Sequence, residues 1–259
     1  MTILERFRLD GRVALVTGGS KGIGKAIAGG FAESGARAVL IAARDASQLA
    51  ATADELRSRT GVEIRSLAVD LARRESADEL AGWALDQCGA VDILINNAGT
   101  NHPQELVEIT DAVWDRIVEL NFTSCMRLAR RLAPRMIERR WGRIVHVSSV
   151  MALASTTGRG VYSGTKAALI GMTRAHALEL GPHGITVNCI APGPILTDLP
   201  MGILTERQKA QFAERTAVKR WGDPDDIVGP ALLFASEAGR NLTGSVIVSD
   251  GGATCRMFD

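Results

Sequence analysis

The stretch TGGSKGIG occupies residues 17–24 and follows the apolar run RVALVT at residues 12–17. Its glycine spacing differs from the G-x-G-x-x-G dinucleotide fingerprint, but it can serve the same purpose, which is to bring the backbone close to a bound nucleotide. Glycine permits a tight turn and a close approach of the backbone to a ligand, and the N-terminus of the following helix attracts a pyrophosphate. Such a turn also occurs as a plain strand–helix connection, but its place after the first predicted strand favours nucleotide binding.

Short apolar runs alternate with helical patterns along the rest of the chain. The runs are apolar at nearly every position, so both faces of their sheet should be covered. Strand–helix–strand repetition implies parallel strands with right-handed crossovers. We therefore predict an α/β fold, a single Rossmann-type doubly wound domain over residues 1–259 with a seven-stranded parallel sheet and helices on both faces. The predicted strands are 12–17, 38–43, 62–70, 91–97, 142–149, 184–192 and 244–252. The predicted helices are 22–35, 46–59, 75–89, 111–140, 160–181 and one from about 224.

Bulk composition argues against several classes of protein. The formal net charge of +1 gives no general attraction to nucleic acid or to an anionic membrane. No apolar run reaches the roughly 18 residues of a membrane span, and charges throughout residues 1–12 lead us to expect no signal peptide. The four cysteines are far apart, so we expect free thiols in the cytoplasm and neither disulfides nor a metal site. They are Cys88, Cys125, Cys189 and Cys255.

The end of the second predicted strand bears on the choice of nucleotide. NAD sites usually place Asp or Glu there to bind the ribose 2′-hydroxyl. This chain has Ala43 at that position and Arg44 next, and Lys21 adds a second cation within the glycine turn. An acid-free site with two cations suits a 2′-phosphate, which arginine can hold through two parallel hydrogen bonds. We predict NADP(H) rather than NAD(H); the alternative is that both cations are solvated surface residues.

The chain has one tyrosine, Tyr162, and Lys166 follows it four residues later. Residues at this spacing share one face of a helix, so the ammonium would lie under the phenol and favour the phenolate form. Hydride transfer between nicotinamide and a carbonyl needs a proton for the developing alkoxide. Tyr162 can be the general acid for reduction and the general base for oxidation. Ser149, at the end of a predicted strand, can donate a hydrogen bond to the carbonyl oxygen. The alternative is that Tyr162 is a core or interface aromatic.

Taken together, these motifs resemble the short-chain dehydrogenase/reductase family over about residues 8–252. The shared features are TGGSKGIG, NNAG at 96–99, Asn121, Ser149, YSGTK at 162–166 and PGPILT at 192–197. Ser149 precedes Tyr162 by 13 residues, as it does in that family. The resemblance implies that Lys166 also holds the nicotinamide ribose and that Asn121 positions a water that relays protons to Lys166. The catalytic set is then Asn121, Ser149, Tyr162 and Lys166.

The same resemblance implies which residues line the cofactor. Asp70 would contact the adenine amine, Ile195 and Thr197 would meet the nicotinamide amide, and Asn96 would brace the sheet. Residues 194–215 are expected to form a substrate-covering lid. The predicted cofactor-binding set is Gly18, Ser20, Lys21, Gly22, Ile23, Gly24, Arg44, Asp70, Leu71, Asn97, Ala98, Gly99, Tyr162, Lys166, Pro192, Gly193, Ile195 and Thr197.

Fold and chemistry alone do not identify a substrate. The stretch PGPILTDLPMGIL, with RWGDPDDIVG after it, resembles gluconate 5-dehydrogenases, which interconvert a sugar acid and its keto form. The general layout also resembles 3-oxoacyl-carrier-protein reductases. A nucleotide-sensing protein without turnover is the alternative of another class, and the complete catalytic set argues against it.

Arg159 and His102 are candidates for holding a carboxylate or phosphate. The resemblance further implies a homotetramer or homodimer formed through helices 111–140 and 160–181. The candidate substrate residues are Asn101, His102, Met151, Arg159 and Leu199.

Overall fold

The computed structural model describes residues 1–197 and 204–255 and contains a seven-stranded sheet whose neighbouring strands are all parallel. The strands are β1 (Val13–Thr17), β2 (Ala38–Ala43), β3 (Glu63–Ala68), β4 (Ile93–Asn96), β5 (Gly142–Val147), β6 (Ile185–Pro192) and β7 (Val246–Ser249). Their order across the sheet is β3-β2-β1-β4-β5-β6-β7. The winding direction reverses between β1 and β4, and ligands of such sheets bind beyond the carboxyl ends of the strands at this switch point.

Helices cover both faces of the sheet, which confirms the predicted fold class. They are α1 (Gly22–Glu33), α2 (Ala46–Thr60), α3 (Ser76–Cys88), α4 (Asp111–Val118), α5 (Ser124–Arg139), α6 (Gly160–Leu180), α7 (Glu206–Arg215) and α8 (Val228–Ala235). Alternate strand residues point to opposite faces. In β1, Ala14 and Val16 join one apolar cluster with α1, α2 and α8, whereas Val13 and Leu15 join another with α3, α5 and α6. No helix within the described residues is long and apolar enough to cross a membrane.

Local sequence signals set several helix boundaries. The carboxylate of Asp45 accepts a hydrogen bond from the backbone N–H of Gln48 and caps the start of α2. Gly61 ends the same helix in the left-handed conformation, with φ of 70°, which costs glycine little because it has no Cβ. The hydroxyl of Thr110 caps α4 in the same way as Asp45 caps α2. These boundaries agree with the predicted helices to within a few residues.

The predicted helix 111–140 is interrupted in the structure. A π-helical turn, Glu119–Thr123, separates α4 from α5. Such a turn widens the helix by one residue and is found mostly at functional sites. Apolar spacing continues on both sides of it, which explains why the sequence suggests one helix. The turn carries Asn121, whose side chain is fully buried.

Candidate active site

A cleft of about 1000 Å³ opens beyond the carboxyl ends of the strands. Three predicted residues are not part of its described wall. Asn121 is buried behind the wall, His102 is exposed elsewhere, and Leu199 lies outside the described residues. The other predicted site residues all line it: Gly18, Ser20, Lys21, Gly22, Ile23, Gly24, Arg44, Asp70, Leu71, Asn97, Ala98, Gly99, Asn101, Ser149, Met151, Arg159, Tyr162, Lys166, Pro192, Gly193, Ile195 and Thr197.

The glycine turn is tightly fitted against the loop that follows β4. Gly18 and Gly22 have φ of 67° and 53°, a region that residues with a Cβ rarely adopt. A Cβ on Gly18 would lie 2.7 Å from Nδ2 of Asn97, which itself donates to the backbone oxygen of Thr17 at 2.8 Å. A Cβ on Gly22 would lie 3.0 Å from the side chain of Thr197. Glycine at both positions is therefore required by the backbone conformation and by this close packing at the start of α1.

Thr17 holds this loop, a role that the sequence analysis missed. Its side chain is buried, and its Oγ1 accepts hydrogen bonds from the backbone N–H groups of Asn97 and Ala98, both at 3.0 Å. The same hydroxyl lies 3.3 Å from the backbone oxygen of Ile95, to which it donates. A hydroxyl residue as the last position of β1, directly before the glycines, was the available signal.

Tyr162 and Lys166 lie near the start of α6, where they share one face. The Nζ of Lys166 is 5.7 Å from the ring centroid of Tyr162. The lysine is 4% exposed, and its Nζ donates to the backbone oxygen of Val147 at 2.8 Å. The lysine side chain is thus buried beside the phenol ring and fixed by the end of β5.

Ser149 faces the cleft two residues after the end of β5. It is buried, and its Oγ accepts a hydrogen bond from the backbone N–H of Met151 at 3.1 Å. Accepting this bond leaves the hydroxyl proton to be donated to a substrate oxygen. The neighbouring Ser148 donates from its Oγ to the backbone oxygen of Lys166 at 2.7 Å and so ties the strand end to α6.

The side chain of Asn121 connects the π turn to the loop after β4 and to α6. Its Oδ1 accepts from the backbone N–H of Thr100 and its Nδ2 donates to the backbone oxygen of the same residue, both at 2.9 Å. Nδ2 also donates to Oγ1 of Thr165 at 3.2 Å. A Cβ on Gly99 would lie 3.3 Å from both Asn121 Oδ1 and Lys166 Nζ. Asn121 therefore lies next to the Tyr162–Lys166 pair, and its placing of a water stays a prediction.

Asn96 braces the sheet from the end of β4, as expected. Its Nδ2 donates to the backbone oxygen of Cys125 at 3.4 Å and lies 3.1 Å from Nδ1 of His146 on β5. Because an amide nitrogen only donates, Nδ1 of His146 is the acceptor and the imidazole is neutral. Burial lowers the pKa of His146 to about 3, with smaller contributions from the charges of His176 and Lys166.

The cleft continues past the ends of β2 and β3. Arg44 is exposed directly after Ala43, the last residue of β2. Asp45 comes next, but its carboxylate accepts from Gln48 N at 3.0 Å and Ser47 Oγ at 2.7 Å. The backbone bond from Gln48 is the main reason that the pKa of Asp45 is lowered. This acid is thus engaged in capping α2.

The opposite wall is formed in part by α7 and the residues beside it. Phe212 and Trp221 have ring centroids 5.7 Å apart, and both line the cleft together with Leu204 and Arg215. The sequence analysis assigned residues 194–215, and with them Leu204, Phe212 and Arg215, to a lid, but named none of these residues or Trp221. No alternation of apolar residues marks the four, because they come from a polar helix and from the residues on either side of it. Residues 198–203 of the predicted lid lie outside the described residues.

A proton-transfer group beside a nucleotide-binding turn defines a dinucleotide-dependent oxidoreductase. Comparison with known proteins agrees. The chain belongs to the short-chain dehydrogenase/reductase family, whose short chain dehydrogenase model matches residues 12–208. It is an oxidoreductase acting on alcohol or ketone groups.

Several relatives match nearly the whole chain. The 3-oxoacyl-[acyl-carrier-protein] reductase FabG of Aquifex aeolicus is 34% identical, with 95% of this chain and 98% of the relative covered. A gluconate 5-dehydrogenase from Burkholderia cenocepacia, solved with NADP and tartrate, is 31% identical with a TM-score of 0.92, covering 99% of this chain and 100% of that one. A 7α-hydroxysteroid dehydrogenase solved with NADH and 7-oxo glycochenodeoxycholic acid is 32% identical with a TM-score of 0.93, and both chains are covered completely. Overall similarity thus spans different substrates and both nicotinamide cofactors.

Proposed function

We propose that this chain catalyses NADP(H)-dependent interconversion of a carbonyl and a secondary alcohol on a polar keto substrate, a keto sugar acid of the gluconate 5-dehydrogenase type. The observation that carries the proposal is the position of Tyr162, Lys166 and Ser149 in the same cleft as the glycine turn. Buried polar groups arranged in this way are expected where protons are transferred.

Each catalytic side chain has a separate task. When bound, NADP(H) supplies or accepts the hydride. Ser149 donates a hydrogen bond to the substrate oxygen and thereby polarises and orients the carbonyl. Tyr162 delivers the proton to that oxygen during reduction and removes it during oxidation. Lys166 stabilises the phenolate that Tyr162 becomes, and its bond to Val147 keeps the ammonium in place.

The groups around the end of β2 support NADP(H) over NAD(H). Ala43 cannot bind a ribose hydroxyl, Arg44 is exposed beside it, and Lys21 lines the same part of the cleft. The nearby carboxylate of Asp45 is occupied in capping α2. A 2′-phosphate would meet two cations here, with no carboxylate placed as in NAD sites.

A 3-oxoacyl-carrier-protein reductase is the second candidate. Met151, Leu204, Phe212 and Trp221 give the cleft an apolar stretch that an acyl chain would contact. Asn101, Ser155, Thr156 and Arg159 line the cleft as well and favour a substrate with hydroxyl and charged groups. The polar groups are the reason for preferring the sugar acid.

A homotetramer or homodimer is proposed for the assembly. Trp114 on α4 and Leu178 on α6 are 51% and 81% exposed, so apolar side chains of the helices expected to form the contact are accessible to a second copy. The four free cysteines support the proposed cytoplasmic location, where thiols stay reduced.

The test is NADPH oxidation followed by nicotinamide absorbance, with a panel of sugar keto acids, acyl thioesters and small ketones. Tyr162→Phe should lower turnover about 10²–10⁴-fold while NADPH still binds, because only the proton donor is removed. Ser149→Ala should also lose turnover, whereas Ser58→Ala, on the exposed side of α2, should not. Undiminished activity of Tyr162→Phe would refute the mechanism. Tight NADPH binding without turnover on any ketone would instead favour a nucleotide sensor.

A further inference from the structure

Arg159 lies in the wall of the cleft, directly before α6 and three residues ahead of Tyr162. Its side chain is half-buried, and its Nη1 is fully buried without a hydrogen-bond partner among the described residues. Burial is the main cause of a lowered pKa for Arg159, and the charge of Tyr162 acts in the opposite direction. A guanidinium so close to the reacting phenol, with a buried donor left over, has the chemistry to bind an anion.

The charges of the cleft are unevenly distributed. Among the described lining residues the carboxylates are Asp45 and Asp70, which follow β2 and β3. Near Tyr162 the charged side chains of the lining are Lys166 and Arg159, and Arg215 at the end of α7 lines the same cleft. No acid in the described lining is therefore placed to neutralise Arg159.

Two uncharged acceptors lie on the loop beside Arg159. Oδ1 of Asn101 and Oε1 of Gln104 are buried and lack partners among the described residues. The backbone N–H of Gln104 donates to the oxygen of Gly158 at 3.1 Å, so this loop is fixed against the residue that precedes Arg159. Buried acceptors without partners cost free energy, and a substrate hydroxyl group would satisfy that of Asn101, which lines the cleft.

We propose that Arg159 binds a carboxylate of the substrate and so makes the enzyme prefer keto acids to neutral ketones of the same shape. The proposal rests on the proposed function, because it names the group that distinguishes a sugar acid from a neutral sugar. Arg159 acts through two N–H donors on one carboxylate, the geometry in which arginine binds most strongly. Arg215 is exposed and contributes less, because exposed ion pairs are weak.

The experiment uses two substrates that differ in a single group. 5-Keto-D-gluconate and L-sorbose share one carbon skeleton, and the carboxylate of the first is a hydroxymethyl group in the second. KM and kcat are measured for both with NADPH for the wild type, Arg159→Gln, Arg159→Lys and Arg215→Gln. Arg174→Gln, an exposed arginine on α6 outside the described lining, is the matched control. Calorimetry of D-gluconate and D-glucitol binding to the enzyme saturated with NADPH repeats the comparison without turnover, because the alcohol and the cofactor are then both in the reduced form.

We expect the wild type to bind the acid member of each pair about 10- to 100-fold more tightly, as a buried charge-assisted contact predicts. Arg159→Gln should remove that preference and change the KM for L-sorbose less than about twofold. Arg159→Lys should keep part of it, and Arg174→Gln should keep all of it. Arg215→Gln should lower it by about fivefold or less.

Other results would overturn the proposal. One is that Arg159→Gln weakens binding of the acid and of the neutral member of a pair equally. Another is that the variant binds NADPH more weakly, which would make Arg159 a cofactor residue. The absence of any acid preference in wild-type binding would have the same consequence. A preference in binding that Arg159→Gln removes, without turnover of either ketone, would uphold the role of Arg159 and refute the proposed function.

Discussion

Replacing His146 by glutamine should flatten the pH dependence of stability. His146 is fully buried on β5, and its Nδ1 accepts the hydrogen bond from Asn96. Protonation would place an N–H against the donor of Asn96 and bury a charge near Lys166. Burial is the main reason that the pKa of His146 falls from its ordinary 6.5 to about 3 in the folded protein, and the charges of His176 and Lys166 lower it further. Glutamine is neutral at every pH and carries no such penalty.

The size of the effect follows from proton linkage. Above about pH 6.5 neither the folded nor the unfolded state protonates this histidine, and its full contribution to stability is present. As the pH falls below that value, His146 binds a proton in the unfolded state but not in the folded state, so stability is lost until about pH 3. Between about pH 8 and pH 5.5 this loss of stability is about 1.4 kcal/mol. It depends almost entirely on the pKa of His146 in the unfolded chain.

Urea unfolding at both pH values, followed by fluorescence of the four tryptophans, measures the difference. Protein concentration must be the same throughout, because any assembly adds to the apparent stability. The free energy of unfolding of the wild type should fall by about 1.4 kcal/mol more than that of His146→Gln. His102→Gln, a change at an exposed histidine, should behave as the wild type does. Equal pH dependence of the wild type and His146→Gln would show that the buried imidazole is not held neutral.

Three further predictions concern the nucleotide end of the cleft. Arg44→Ser should lower kcat/KM with NADPH about tenfold, because a phosphate loses one exposed charge-assisted contact, and should leave NADH kinetics unchanged. An equal loss with both cofactors would contradict the 2′-phosphate assignment. Thr17→Val leaves two loop N–H groups without their acceptor and should lower the free energy of unfolding by about 2–5 kcal/mol in urea titrations. A loss below about 0.5 kcal/mol would show that water replaces the hydroxyl. Gly24→Ala should weaken NADPH binding at least about tenfold by fluorescence titration, because the methyl group would overlap the carbonyl oxygen at the start of the turn. Gly82→Ala in α3, where a Cβ meets nothing within 4 Å, is its control and should bind NADPH normally.

Much of the fold and the site follows from local sequence. The apolar runs predict the parallel sheet, because a strand covered on both faces has no polar side to alternate with. The glycines at positions 18 and 22 predict the turn, because they can adopt the positive φ angles that the structure shows there. The pairing of Tyr162 with Lys166 follows from helix geometry alone, since residues four apart share a face. Short-range rules of this kind need no knowledge of the rest of the chain.

The tertiary structure decided what depends on residues far apart in the chain. Thr17 holds Asn97 across 80 positions, and although a hydroxyl residue before the glycines is a local signal, it does not reveal which residue is the partner. The π turn carries Asn121, whose side chain is tied to Thr100, 21 residues away, while the apolar spacing around the turn continues as in an unbroken helix. The burial of Arg159 Nη1, which has no partner among the described residues, also arises only in the assembled cleft. Local spacing thus predicts the Tyr162–Lys166 pair and the glycine turn, whereas long-range packing determined how they are held and which charged side chains line the cleft beside them.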